Sequence, residues 1–123
     1  MRKGSYSDTL RFFTKALQLA DRVKDDVSLR EYGRDAIRNI IKALLMLRGF
    51  SIPDMDLTFM GSVALDSGII DKATFSRIVR LNLGFGGFGS LTLDDFRELM
   101  DELIRRASSL DPYLSKQMEL YRY

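Results

Sequence analysis

Apolar residues recur along most of the chain at the three-to-four spacing of amphipathic helices. Leu10, Phe13, Leu17, Leu19, Ala20 and Val23 predict a first helix, capped by Ser5 with Asp8 and running to about Lys24, where Asp25-Asp26 breaks it. Ser28 and Glu31 have the spacing of a capping box and predict the start of a second helix. Its apolar positions, Ala36, Ile37, Ile40, Ile41, Ala43, Leu44, Leu45 and Leu47, form a stripe too wide for a single neighbour, which predicts a central position. Gly49 is placed to end this helix in a left-handed cap, and residues 50–54 form a connection. Leu57, Met60, Val63, Ala64 and Leu65 predict a short helix closed at Gly68. Asp71 then caps a helix carrying Phe75, Ile78, Val79 and Leu81. That helix is expected to stop before Gly84-Phe85-Gly86-Gly87-Phe88-Gly89, because glycine costs about 1 kcal/mol at a helical position. Thr92 with Asp95 restarts a helix whose Leu93, Phe96, Leu99, Met100, Leu103 and Ile104 share one face, and the tail from Asp111 to Tyr123 adds a final turn or helix. The expectation is all-α: an antiparallel four-helix up-and-down bundle with short extra helices.

Composition narrows the function more than the fold. A chain of 123 residues suits a single domain over residues 1–123. It contains neither cysteine nor histidine. That removes disulfides, thiolate nucleophiles, Ser-His-Asp triads, histidine general bases and His/Cys metal sites together. The net charge of +2 is too small to imply a nucleic-acid partner by itself. No apolar run approaches the ~20 residues of a membrane-spanning helix. Met1-Arg2-Lys3-Gly4 leads into a charged amphipathic stretch unlike a signal peptide. The expectation is a cytoplasmic protein without a membrane partner.

Three features invite a chemical reading. The glycine string matches GxGxxG in letters, but dinucleotide sites place that motif between a strand and a helix. Here the preceding segment reads at least as well as helix and no second strand follows, so the plainer reading is an interhelical hinge whose phenylalanines pack on the core. Phe85 and Phe88 beside Arg77 and Arg80 also offer stacking and charge to single-stranded RNA. Arg30, Arg34, Arg38 and Lys42 recur every four residues as a basic ridge. Glu31 and Asp35 lie close by, so a solvated face with local ion pairs is the plainer account. Asp94, Asp95, Glu98, Asp101 and Glu102 form an acidic run on one helix, and no converging ligands are visible elsewhere, so no metal and no cofactor is expected. Arg105-Arg106 is read as complementing a helix C-terminus.

The stretch Arg34-Asp35-Ala36-Ile37-Arg38-Asn39-Ile40-Ile41-Lys42-Ala43-Leu44-Leu45-Met46-Leu47-Arg48-Gly49 resembles the long second helix of HEPN domains. These small helical proteins accompany prokaryotic nucleotidyltransferases and include toxins. The order of the later helices fits as well, and the resemblance covers about residues 8–108, leaving 109–123 as a tail. It implies a homodimeric four-helix bundle. It also implies, in active members, a metal-independent ribonuclease with an Arg-x(4–6)-His motif at the dimer cleft. Arg80 falls at the arginine of that motif, with Arg77 one turn earlier, but the histidine position lies within Gly84-Phe85-Gly86. The tyrosine that partner enzymes modify in some members is replaced by phenylalanine. The expectation is therefore a non-catalytic binding subunit of a nucleotidyltransferase or of RNA. The alternatives are a toxin-type ribonuclease using Arg80 without histidine, and a helical protein–protein adaptor.

Overall fold

The computed structural model describes residues 5–50, 53, 55–114 and 116; the side chain of Ser5 is outside the described set, and so is the cap read there. Five helices follow one another: α1 (Ser5–Asp21), α2 (Asp26–Leu47), α3 (Leu57–Asp66), α4 (Lys72–Phe85) and α5 (Leu93–Leu110). Residues 112–114 add a helical turn, and no strand occurs among the described residues. The protein is all-α. The wide stripe on α2 has the consequence expected of it, since α2 packs against each of the other four helices. Ile37, Ile40, Ile41, Leu44 and Leu45 are completely buried there. No helix among the described residues is long and apolar enough to cross a membrane.

Two boundaries differ from the sequence expectation. α2 begins earlier than Ser28: Asp25 is its N-cap and accepts from the Ser28 amide at 2.9 Å. The Ser28 hydroxyl in turn accepts from the Asp25 amide at 3.0 Å. Aspartate caps as well as serine does, and the earlier start adds Asp26, Val27 and Ser28 to the helix ahead of the buried Leu29. Asp25-Asp26 thus starts a helix instead of only ending one. α1 stops at Asp21, and a tight turn, with the Val23 amide on the Ala20 carbonyl at 3.1 Å, tucks Val23 into the core.

The second difference is at the glycine string. α4 continues through Gly84 and Phe85. A Cβ on Gly84 would lie 3.0 Å from the Ser90 carbonyl oxygen and 3.1 Å from Leu91 Cβ. The missing side chain lets the chain fold back closely on the helix, and this packing offsets the low helix propensity of glycine. The helix then ends as two others do. The amides of Phe50, Ile69 and Phe88 reach back to the carbonyls of Leu45, Ala64 and Leu83 at 2.8–2.9 Å. The preceding glycines, Gly49, Gly68 and Gly87, all have positive φ. These are three Schellman caps, two of them expected from Gly49 and Gly68. The expected caps at Asp71 and Thr92 are present, accepting from the amides of Thr74 at 2.8 Å and Asp95 at 3.1 Å.

Arg106 does not serve a helix terminus. Its Nε donates to Glu102 Oε2 at 2.7 Å, and its two Nη groups donate to the Ile69 carbonyl and to Asp71 Oδ2, each at 3.1 Å. It ties α5 to the junction between α3 and α4. Of the expected final element, the turn 112–114 is present and buries Leu114; residues 115 and 117–123 lie outside the described residues.

Candidate functional site

The basic ridge on α2, from Arg30 to Lys42, covers twelve helical steps, about 18 Å at 1.5 Å per step. Its two ends have different neighbours. At the N-terminal end, Arg30 Nη1 lies 3.5 Å from the Gly84 carbonyl oxygen. The Arg34 guanidinium lies 5.6 Å from the centroid of the Phe85 ring, within cation–π range. Gly33, one residue before Arg34, makes room for this arrangement: a Cβ there would stand 3.0 Å from the edge of Phe85. The carbonyls at the C-terminus of α4 also carry partial negative charge, which suits Arg30.

At the other end, Arg38 and Lys42 border a surface cavity of about 160 Å³ between α1, α2 and α3, which Phe12, Lys15, Asp35, Asn39 and Met60 complete. The Lys42 ammonium lies 4.6 Å from the centroid of the Phe12 ring. Arg38 makes an ion pair with Asp35 at 3.7 Å, and its Nε is buried with no hydrogen-bond partner. The Asn39 amide donates to the Asp35 carbonyl of its own helix at 2.7 Å. Two cations on α2 and one on α1 thus line this cavity together with Asp35.

Arg30 and Arg34 therefore meet the last turn of α4, more than fifty residues away in sequence. Other candidates do not join this contact. Arg80 is exposed and pairs with Asp95 of α5 at 3.8 Å. Arg77 is half-buried one turn earlier on α4. Phe85 packs against the core, as the hinge reading expects, whereas Phe88 does not: it is 70 % exposed, beside Leu83 at 52 %. The GxGxxG string makes no dinucleotide loop, since it forms the last turn and cap of α4. Among the described residues, no group of His, Cys, Asp or Glu has the arrangement to hold a metal ion.

Sequence reasoning missed Phe12, Lys15 and Gly33. Lys15 carried a signal, because Arg11 and Lys15 stand four apart on α1 as the ridge residues do on α2. Gly33 carried none beyond being a glycine in the middle of a helix. Chemically, the surface holds fixed guanidinium and ammonium donors beside aromatic rings. Such groups neutralise and orient phosphate, but an arginine remains protonated and moves no proton at neutral pH. Comparisons with protein-family models, with characterised proteins and with solved structures find no match for the chain.

Proposed function

We propose that this protein is a HEPN-like homodimeric subunit that binds RNA through phosphate contacts and does not cleave it, its main helices forming an antiparallel four-helix up-and-down bundle. The observation that carries the RNA reading is that the ridge on α2 meets an aromatic ring near each end, Arg34 beside Phe85 and Lys42 beside Phe12. Charge alternating with aromatic rings suits single-stranded nucleic acid, where phosphates are neutralised and bases stack. The absence of histidine and cysteine supports binding over catalysis. A nucleotidyltransferase partner follows from the sequence resemblance alone, as do the dimer and Arg77 with Arg80 as phosphate ligands.

The experiment is RNA binding and cleavage measured in the same samples across a salt series, with light scattering for the dimer. Four phosphate contacts at about 0.7 each predict a slope of log K against log salt of roughly −3. Arg34→Gln should lower affinity and flatten that slope by about one contact. Cleavage lost on Arg80→Ala would replace this reading with the ribonuclease. The adaptor reading has one observation of its own, the exposed pair Leu83 and Phe88. Salt-independent failure to bind RNA, with a complex lost on Phe88→Ser, would favour it.

A further inference from the structure

The two aromatic rings beside the ridge are already engaged. Phe85 is half-buried against the core and holds Arg34. Phe12 is half-buried too, with Arg11 at 5.2 Å and Lys42 at 4.6 Å from its centroid. Phe88 differs from both. At 70 % exposure it is the most open aromatic side chain among the described residues. Its place is nevertheless fixed. The Phe88 amide donates to the Leu83 carbonyl at 2.8 Å, and its Cδ2 lies 3.6 Å from where a Cβ on Gly86 would stand. The ring is thus held over the cap of α4, next to Gly84 and Phe85, which Arg30 and Arg34 meet. Among the described residues neither of these arginines is in an ion pair, whereas Arg38 is. The two halves of a nucleotide respond differently to such a surface. The carbonyl end of α4 carries partial negative charge, which repels a phosphate but not a neutral base. The guanidinium groups attract the phosphate. A base over the cap with its phosphates over the arginines satisfies both conditions, and the reverse placement satisfies neither.

From this geometry we infer that Phe88 is a stacking platform for an unpaired nucleobase, with Arg30 and Arg34 on the adjoining phosphates, so that this end of the protein selects single-stranded over duplex RNA. Bases inside a duplex are stacked on one another and offer the ring no free face, whereas splayed bases of a single strand do. The inference rests on the RNA reading of the ridge and deepens it by naming the residue that meets the base.

The test measures binding of oligoadenylate, of the same strand in a duplex and of an abasic strand of equal length, across a salt series. Phe88→Ala should bind oligoadenylate about five- to tenfold more weakly, the lower part of the range for losing one base–aromatic stack. The slope of log K against log salt should stay as in wild type, because no cation is removed. The abasic strand should bind wild type and Phe88→Ala alike. Phe88→Trp introduces the only indole, since the chain has no tryptophan; oligoadenylate should quench its fluorescence, and the duplex and the abasic strand should not. Undiminished binding by Phe88→Ala together with an unquenched indole overturns the inference and leaves the ridge reading standing. A flattened salt slope in Phe88→Ala also overturns it, because the substitution would then act through the arginines. So does a duplex bound by wild type as tightly as the single strand. Failure of wild type to bind any of the three overturns the ridge reading, and this inference with it.

Discussion

Arg106 and Arg38 have nearly the same exposure, 26 % and 31 % of the side chain, and opposite hydrogen-bond accounts. Arg106 uses all three of its nitrogens on Glu102, Ile69 and Asp71. Arg38 has one ion pair too long for a hydrogen bond and a buried Nε with no partner. Burial alone would rank these two residues alike. Their partners distinguish an arginine that holds the fold together from one that leaves a buried donor unpaired.

The largest effect expected from this contrast is on stability. Arg106→Met removes three charge-assisted hydrogen bonds and leaves the Ile69 carbonyl unsatisfied. After discounting for the exposed Asp71, the loss should be about 2 kcal/mol in urea denaturation. Arg38→Met should lie within about 0.5 kcal/mol of wild type, because it removes an unpaired buried donor with a weak ion pair. Equal losses for the two variants would break the comparison.

Acid titration sharpens it. The Thr74 amide first, and Arg106 after it, hold the Asp71 carboxyl below its ordinary value of 3.8. Arg105 first, then Arg106, lower Glu102 from 4.5. Depressed carboxyl values stabilise the fold fully above those ordinary values, and the contribution is lost as pH falls through the folded ones. Stability should therefore drop below about pH 4.5, and the drop should be mostly retained in Arg106→Met, since Thr74 and Arg105 supply the leading contributions. Arg38→Met should leave the acid limb unchanged. A limb abolished by Arg106→Met would mean that this one side chain carries the whole effect.

The smallest effect concerns the other end of the ridge. In Gly33→Ala the gain in helix propensity, about 1 kcal/mol, opposes contacts of 2.9 Å with Leu29 and 3.0 Å with Phe85. Those neighbours are side-chain ends that can shift, so the net change in stability should be near zero. The Phe85 ring should move, which its aromatic resonances report, and an unmoved ring would contradict the close fit.

Much of this was legible in the sequence. The periodicity of α2 gave its central position, and Asp71, Thr92, Gly49 and Gly68 marked their caps. Local signals misled where tertiary contacts outweighed them. Gly84 looks like a helix breaker until the approach of Ser90 and Leu91 is known. Ser28 looks like an N-cap because Asp25 can be read equally well as the end of the preceding helix. The ridge could be read from spacing alone, but its contrasting ends could not, since Phe85, Phe12 and Lys15 reach it from α4 and α1. Arg106 was misread for the same reason: its partners at Ile69 and Asp71 lie about 35 residues away in sequence.

The third Schellman cap offers a handle for spectroscopy. Phe88 projects from it at 70 % exposure, and neither Gly87 nor Gly89 has a neighbour within reach of an added Cβ. The chain has no cysteine. A Phe88→Cys variant therefore carries a unique thiol, three residues beyond the ring that meets Arg34. A fluorophore or spin label attached there would report on the Phe85 end of the ridge from a position outside the core, leaving the Arg106 tie and the cavity residues chemically untouched.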